Sequence, residues 1–349
     1  MNKIISYTLA ITITMIPLLK PQKTYAEVAR GSETVNFVEL TPETKKSINK
    51  GLAYLAKIQN KDGSFPSSTS AAGITAIACM AFLANGHIPG RGKYGKVVEN
   101  GLKFVLTCSK KTGLIAKNVS HGPMYGHGFA TLFLGEVYGM TGNQKLKAKT
   151  REALIKAVRL IVSSQNKEGG WRYQPVPNDA DISVTICQIM ALRSAKNAGI
   201  EVPKKTLDKA IQYVKICQSA DGGFKYTASS GGSAFARSGA GLASLYYAGV
   251  YNGKSVESGL KYMNVQLKSS RTFAGNSWFY YGHYYASQAM FQAGGKHWAA
   301  WYPKIRQALI KKQSASGSFT GGGYGDGYSS GMAIIILSTP NRLLPIFQR

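Results

Sequence analysis

The chain has 349 residues, with 43 Lys or Arg against 16 Asp or Glu, and its formal net charge is +27. That length allows one large domain or two ordinary ones. The four cysteines (Cys79, Cys108, Cys187 and Cys217) form no CxxC pair and no Cys/His metal spacing, which excludes the redox and zinc motifs built on such pairs. Each cysteine stands in an apolar helical stretch, so free buried thiols are favoured over disulfides.

The N-terminal segment is typical of a secretory signal peptide. Lys3 supplies the positive start, and residues 4–19 form an apolar run too short for a comfortable membrane span. We predict a signal peptide over 1–26 and a periplasmic or extracellular protein. An uncleaved N-terminal anchor is the alternative, and it also places the folded part outside the cytoplasm. Residues 27–42 are predicted to form a polar linker and 43–349 the folded domain.

The charge of the mature chain follows from this cleavage. Cleavage of residues 1–26 removes three of the 43 basic residues and no acidic residue. The mature chain then has 40 basic and 16 acidic side chains, a net charge of +24. Such a charge attracts anionic surfaces, including lipid head groups and acidic polysaccharide. The lysines are scattered along helices, which favours a solvated basic face over a nucleic-acid site. We therefore expect an anionic surface or lipid as a partner, no nucleic acid, and a monomer.

A unit of about 50 residues recurs six times after the linker. In four copies a Gln stands six residues before an aromatic residue that follows a Gly-containing turn, and two weaker copies complete the set. The copies start at Gly51, Gly101, Ala157, Ala210, Gly259 and Ile305, with spacings of 50, 56, 53, 49 and 46. The four clean pairs are Gln59 with Phe65, Gln165 with Trp171, Gln218 with Phe224, and Gln313 with Phe319.

Each unit predicts two helices with different surroundings. The first has apolar residues at i, i+3, i+4 and i+7 and lysines on its other side, which is typical of a surface helix. The second is apolar nearly all round and is predicted to be buried. Six such hairpins should close into a ring with the buried helices inside, and each Gln should bond backbone groups that its turn leaves unpaired. The predicted inner helices span 72–83, 127–138, 181–195, 236–247, 281–292 and 329–338.

The repeat is similar to the Gln-Trp motif of the squalene and oxidosqualene cyclases and of the protein prenyltransferase β-subunits. That motif combines a basic residue and Gly or Ala, an aromatic-aliphatic pair, and Gln, Gly and an aromatic residue at fixed spacing. The first copy matches it at Lys50-Gly51, Tyr54-Leu55, Gln59, Gly63 and Phe65. The resemblance covers residues 45–349. It implies an all-α protein, an α/α toroid with inner and outer helix rings, and an apolar central cavity for an isoprenoid-like molecule.

The inner helices all follow their turns, so their first turns should converge at one end of the ring. This predicts an aromatic mouth with few polar groups, the usual make-up of a ligand site. The predicted substrate-binding residues are Tyr125, Phe129, Trp171, Phe235, Arg237, Trp278, Tyr281, Tyr284, Tyr324 and Asp326.

The sequence from Asp179 to Ser183 resembles the Asp-any-Asp-Asp-Thr motif of the class II terpene cyclases. The resemblance implies that Asp181 is the acid that protonates an alkene or epoxide and that Asp179 is its neighbour. Ile182 stands at the third Asp position, and one toroid replaces the two barrel domains of full-length triterpene cyclases. The structural alternative makes Asp179 the N-cap of the helix and places Asp181 in its first turn, where it complements the helix dipole.

His127 and His283 share a Tyr-Gly-His sequence in the second and fifth repeats, which face each other in a six-membered ring. Together with Asp181 they are predicted to form a catalytic acid and reprotonating network; hydrogen-bonded structural histidines are the alternative. Nothing fixes a metal-ligand spacing among these three residues, so neither a metal nor another cofactor is predicted. Arg237, on a helix of small residues, is expected to be buried and to pair with Asp181 or Asp179, or to bind an anionic ligand.

The glycine-rich stretch over 317–328 follows no strand and lacks the Lys-Ser/Thr of a P-loop, so it predicts a lengthened sixth turn. Three functions stay open. A deep dry cavity favours an enzyme that acts on isoprenoids. A filled ring centre favours a non-catalytic binding toroid. A polar groove with facing carboxylates, or with Tyr, His and Arg together, favours a polysaccharide lyase or hydrolase.

Overall fold

The structure is a computed structural model that describes residues 40–275 and 278–348. The predicted signal peptide over 1–26 and most of the predicted linker lie outside the described residues. The described residues contain thirteen α-helices and isolated β-bridges without a sheet. The helices are α1 (Pro42–Ile58), α2 (Ala71–Leu83), α3 (Gly95–Thr107), α4 (Met124–Tyr138), α5 (Gln144–Ser163), α6 (Ile182–Asn197), α7 (Lys204–Ile216), α8 (Phe235–Tyr247), α9 (Lys254–Gln266), α10 (Ser270–Ala274), α11 (Phe279–Ala293), α12 (Gly295–Lys312) and α13 (Asp326–Ser338).

The six predicted inner helices correspond to α2, α4, α6, α8, α11 and α13, each within three residues of the predicted ends. They are buried on nearly every side; in α2 all residues are buried. A helix with apolar residues all round has no face suited to water, so it is stable here only when other helices surround it. The outer helices expose one lysine-bearing face, and α10 is a short extra helix in the fifth turn.

The inner helices form a closed ring. Each packs against the next along the chain, from α2 through α4, α6, α8 and α11 to α13, and α13 packs back against α2. The outer helices lie against the outside of this ring, and α1 contacts both α13 and α2. The predicted all-α toroid of six helical hairpins is therefore confirmed.

The repeated Gln side chains tie each turn to the next outer helix. Nε2 of Gln165 donates to the carbonyl of Gly169 in its own turn at 2.8 Å and to that of Thr206 in α7 at 2.9 Å. Gln313 does the same across the closure of the ring, since Nε2 donates to Ser47 O in α1 at 2.9 Å. Each Gln thus satisfies a carbonyl that its own turn leaves unpaired and joins the turn to a carbonyl near the start of the next outer helix.

Glycine is required in these turns for conformation and for space. Gly169 has φ +102°, and a Cβ there would lie 2.2 Å from the carbonyl oxygen of Lys209 in α7. Gly317 has φ +94°, and its Cβ would lie 2.5 Å from Lys50 O in α1. Any other residue would strain the backbone and push the neighbouring outer helix away.

Side chains fill the centre of the ring where an apolar cavity was expected. The rings of Phe129 on α4 and Tyr284 on α11 meet across the centre, with centroids 5.9 Å apart. Tyr285 OH lies 3.1 Å from Sγ of Cys187 on α6. All four side chains are buried. The tyrosines of α11 are long enough to reach the opposite helices, which the helical periodicity of the sequence did not show.

The segment that follows α13 covers one end of the ring. This is the end at which the inner helices finish, opposite the Gly-containing turns that precede them. The Ile346 N–H donates to Oε2 of the buried Glu136 at 3.0 Å, and Ser194 Oγ donates to Oε1 at 2.6 Å. Burial raises the pKa of Glu136 to about 7. Leu344, Ile346 and Phe347 of this segment are buried, whereas Leu343 is exposed.

Two further features concern the chain as a whole. All four cysteines are buried and free, as predicted. No helix among the described residues is both long enough and apolar enough to cross a membrane.

Candidate functional site

Asp181 is fully buried at the start of α6, where it is the N-cap. Its Oδ1 accepts the N–H groups of Ser183 and Val184, both at 2.8 Å. The structural alternative had named Asp179 as the cap; the cap is Asp181, because Asp179 lies outside the helix and is exposed. Burial raises the pKa of Asp181 to about 6, although the two backbone N–H groups and Arg172 act to lower it.

Arg172 is the cation beside the two acids. Its Nη1 donates to Asp179 Oδ2 at 2.6 Å, and its Nε lies 3.8 Å from Asp181 Oδ2. The expected pairing of Arg237 with either acid is wrong. Arg237 is half-buried, and its Nη2 donates to the carbonyl of Gly232 at 2.7 Å.

Two phenols that the sequence analysis missed complete the surroundings of Asp181. Tyr226 OH lies 3.4 Å from Asp181 Oδ2, and it shares a short hydrogen bond with Tyr173 OH. Burial raises the pKa of Tyr226 above its usual value, so the phenol keeps its proton. Tyr173 and Tyr226 each stand two residues after the turn aromatic in adjacent repeats, and that shared position was a usable signal.

The mouth around this cluster is partly open. His121 is exposed and lies edge-on to Tyr173, with ring centroids 4.6 Å apart. Tyr125 is half-buried, and its ring centroid lies 6.1 Å from that of Tyr173. Arg172 lies over the faces of Tyr173 and Tyr226, at 5.2 and 5.7 Å from the centroids. Acid, guanidinium, phenols and imidazole thus meet at one edge of the mouth.

His127 is buried inside the fold and bonded to the backbone. Its Nδ1 accepts the N–H of Ile115, the turn residue of the second repeat, at 3.1 Å. The corresponding turn N–H groups in four other repeats are bonded by Thr75, Thr185, Ser238 and Ser330. Burial lowers the pKa of His127 to about 4, so the ring is neutral at pH 7. His127 therefore occupies the position that a Thr or Ser hydroxyl group takes in those four repeats.

His283 occupies the equivalent turn of α11, with its Nε2 2.8 Å from the carbonyl of Thr272. Phe235, Phe279 and Trp301 surround it, at 4.8, 4.5 and 5.7 Å between ring centroids. Burial lowers its pKa to about 4. Neither His127 nor His283 is hydrogen-bonded to Asp181, and no group of three or more His, Cys, Asp or Glu in the described part of the chain is arranged to hold a metal ion.

The other predicted site residues divide between the core and the mouth. Trp171 is buried in its turn, with Nε1 donating to Ile161 O at 2.7 Å, and Phe129 and Tyr284 fill the ring centre. Tyr281 OH donates at 3.2 Å to the carbonyl of Ser183, which stands two residues after Asp181. The residues at the mouth are Tyr125, Phe235, Arg237 and Tyr324, which are half-buried, the exposed Trp278, and Asp326, which accepts a hydrogen bond from Tyr54.

This arrangement supports proton donation. A buried carboxyl with a pKa of about 6 is protonated in a larger fraction of molecules near neutral pH than an exposed carboxyl, so its proton is more often available. Its Oδ1 is fixed by two backbone bonds, which leaves Oδ2 as the oxygen that carries a transferable proton.

Comparisons with known proteins agree with this fold. The chain is 25% identical over 185 residues to the drimenyl diphosphate synthase of Streptomyces showdoensis, a match that covers 52% of this chain and 32% of that protein. The chain therefore spans about a third of that curated relative. A variant of the type II terpene cyclase MstE from Scytonema, in complex with geranylgeranyl dihydroxybenzoate, superposes with a TM-score of 0.59 at 12% identity, over 86% of this chain and 98% of that one. An inactive variant of the α-1,6-mannanase GH76A from Salegentibacter, in complex with α-1,6-mannotriose, gives a TM-score of 0.62 at 9% identity, over 86% and 99%.

At 12% and 9% identity these two similarities show a shared fold and nothing more, and the two structures come from different kinds of enzyme. The family assignment comes from the sequence, since the model of the prenyltransferase alpha-alpha toroid domain matches residues 34–278. That match includes five of the six turns and the Asp181 cluster. The chain belongs to the prenyltransferase alpha-alpha toroid family.

Proposed function

We propose that the protein binds an isoprenoid-like molecule at the mouth of the ring and that Asp181 donates a proton to it. The observation that carries this proposal is the state of Asp181: it is fully buried, its pKa is raised to about 6, and it stands at the acid position of the terpene cyclase motif. Protonation of an alkene leaves a carbocation, which the faces of nearby phenol rings stabilise. Tyr125 supplies such a face, since Arg172 lies over those of Tyr173 and Tyr226.

The filled centre determines where the ligand lies. Phe129, Tyr284 and Tyr285 occupy the axis of the ring, so the ligand rests on the mouth instead of entering a deep cavity. The exposed Trp278 and the half-buried Phe235 extend the apolar surface there. An isoprenoid chain on this surface places its reacting end against Tyr173 and Tyr226, and the proton of the buried Asp181 passes to it through Tyr226 OH, 3.4 Å from Oδ2.

The test is incubation of the protein with geranylgeranyl dihydroxybenzoate in D2O, followed by mass spectrometry of the extracted lipid. We expect a cyclised or isomerised product that carries one deuterium from the exchanged Asp181 carboxyl. The Asp181→Asn variant should yield none, and Asp208→Asn, an exposed acid on α7, should behave as the wild type. Native mass spectrometry of the purified protein adds a binding readout. If no isoprenoid binds to or co-purifies with either form, the proposal is overturned.

Carbohydrate hydrolysis is the second candidate, and one observation favours it. Asp179 and Asp181 both lie against Arg172, one exposed and ion-paired, the other buried with a raised pKa. Glycoside hydrolases use two carboxyl groups in unlike environments as acid and as base or nucleophile. With α-1,6-mannotriose as substrate, hydrolysis should disappear in both Asp179→Asn and Asp181→Asn, whereas alkene protonation depends on the acid Asp181 alone.

A non-catalytic binding toroid is favoured by the tyrosines that fill the ring centre. For a binding toroid we expect saturable binding of a ligand at the mouth and no product from any substrate. The affinity for that ligand should be the same in the Asp181→Asn variant.

We also propose that the protein is exported as a monomer and that its basic outer helices meet an anionic surface. Residues 1–26 support export, and the lysines on α5, α7 and α12 support the anionic partner. Fractionation of a bacterium that expresses the full chain, with N-terminal sequencing, should give protein outside the cytoplasm that begins at Glu27. Recovery of the uncleaved chain in the cytoplasm would count against export, and sedimentation of the purified protein tests the monomer.

A further inference from the structure

A cleft of about 380 Å³ lies where the turn of the fifth repeat meets the glycine-rich turn of the sixth. Lys312 at the end of α12 lies on one side and Gly321–Gly323 on the other, while Phe279 and Tyr280 form an aromatic wall. None of these residues belongs to the Asp181 cluster. The glycine-rich stretch had been predicted only as a lengthened turn.

In the loop over Gly321–Gly323, two carbonyl groups accept hydrogen bonds and the N–H groups donate none to a described residue. Tyr280 OH donates to the carbonyl of Thr320 at 2.9 Å, Ser329 Oγ donates to that of Gly321, and Ser68 Oγ donates to that of Gly323 at 3.4 Å. No N–H of these three glycines donates to a residue that the structure describes. These N–H groups are therefore available to an acceptor that enters the cleft in place of water.

The conformation of the loop explains the three glycines. Their φ angles are +101°, +83° and +78°, a region that residues with a Cβ rarely adopt. At Gly321 and Gly323 an added Cβ would meet nothing within 4 Å. Space is therefore not the reason for glycine there; the reason is the positive φ of the loop.

Lys312 has no acidic partner among the described residues. Its ammonium group lies 4.9 Å from the ring centroid of Phe279 and donates to the carbonyl of Ala274 at 3.3 Å. Asp326, the first residue of α13 after this loop, accepts a hydrogen bond from Tyr54 at 2.8 Å. The cleft thus holds an ammonium group and a loop of free N–H donors.

We propose that this cleft binds a compact oxyanion, a phosphate or sulfate group, through the Lys312 ammonium and the N–H groups of Gly321–Gly323. Successive backbone N–H groups beside a cation are a donor set that suits the oxygens of such an anion. The aromatic wall of Phe279 and Tyr280 leaves room for an apolar group next to the anion. The ligand is therefore a free phosphate or the phosphate head group of an amphiphile. The proposal stands independently of any reaction at Asp181.

The test is calorimetric titration of the full chain with inorganic phosphate, with ionic strength held constant by chloride. We expect Lys312→Gln to weaken binding about tenfold. Lys311→Gln removes the same charge from the adjacent exposed lysine, which lies outside the cleft, and should change the affinity less than about twofold. Gly322→Ala should also weaken binding about tenfold, because the added Cβ strains the loop and lies 3.4 Å from Tyr280 Cδ2. Circular dichroism shows whether each variant is folded; if Lys312→Gln is not, Gly322→Ala decides.

Two results would overturn the proposal. One is an absence of saturable heat with the wild type, and the other is an equal loss of affinity in Lys311→Gln and Lys312→Gln, which would assign the binding to the basic exterior. Titration with monododecyl phosphate below its micelle concentration distinguishes the two sources of the anion. A gain of about tenfold over inorganic phosphate identifies a head group, and equal affinity identifies the free ion.

Discussion

The guanidinium of Arg172 lies 3.8 Å from the carboxyl group of Asp181, Nε to Oδ2, and forms no hydrogen bond to it. Its Nη1 donates instead to Asp179 at 2.6 Å. Asp179 therefore keeps the positive charge away from direct contact with Asp181. At this separation the effect of burial exceeds that of the cation, and the pKa of Asp181 stays at about 6.

Replacement of Asp179 by Asn should lower the pKa of Asp181 by about one unit. Arg172 loses its ionic partner in this variant, and the remaining acid within reach is Asp181. Titration of the Asp181 carboxyl carbon by NMR measures the change directly. Asp208→Asn, which breaks an exposed ion pair with Lys204 on α7, should leave that titration unchanged. A pKa that stays at about 6 in Asp179→Asn would show that Arg172 does not respond to Asp179.

Replacement of His127 by Ala should lower the free energy of unfolding by about 3 kcal/mol. The change leaves the buried Ile115 N–H without its acceptor and opens a cavity between α4 and the second turn. His127→Asn should be less destabilising, because its Oδ1 lies near the position of Nδ1. Urea unfolding followed by circular dichroism compares the two variants. Equal destabilisation by Ala and Asn would contradict a hydrogen-bonding role for His127.

The fold was predictable because its determinants are local. The helical period and the Gln-Gly-aromatic spacing both recur within single repeats, and α6, predicted over 181–195, runs from Ile182 to Asn197. Ring closure was expected from six hairpins that each contribute one helix predicted to be buried on most sides. The filled centre was not predictable, because it depends on which tyrosines of α11 reach across to α4 and α6.

The surroundings of Asp181 were predictable only in part. Arg172 lies in an irregular segment between the turn and α6, where no periodicity indicates which side chain returns to the acid. Tyr226 comes from the next repeat, so its contact depends on the packing between two turns. The structural alternative for His127 had a further signal in the sequence, since Thr185 and Ser238 stand at the same helical position in their own repeats.

Replacement of Gln313 by Ala should lower the free energy of unfolding by about 2–3 kcal/mol. This side chain donates to Gly317 O and Ser47 O and accepts from Ser47 Oγ, and it joins the sixth repeat to the first. Gln313→Glu should be at least as destabilising, because a carboxylate turns toward the two carbonyl oxygens. Lys311→Ala, on the exposed face of α12, serves as the control in denaturant unfolding. If Gln313→Ala unfolds like the control, the bond to Ser47 does not stabilise the closed ring.

Glu136 should make the protein less stable as the pH rises from about 4.5 to about 7. Its folded pKa is raised to about 7 from 4.5, so in this range the folded chain holds a proton that the unfolded chain has released. By the linkage relation, stability falls with pH wherever the folded state binds more protons, here by about 3 kcal/mol over the whole range.

His127 and His283 act in the opposite direction, since their pKa values are lowered to about 4 and stability from them rises with pH up to their usual value of 6.5. The contribution of Glu136 is therefore measured as the difference between the wild type and Glu136→Gln, which keeps an acceptor for the Ile346 N–H. In urea unfolding at a series of pH values, the variant should gain on the wild type from pH 4.5 to 7 and stay parallel to it above. A difference that does not change with pH would mean that the carboxyl group under the C-terminal segment titrates alike in the folded and unfolded chains.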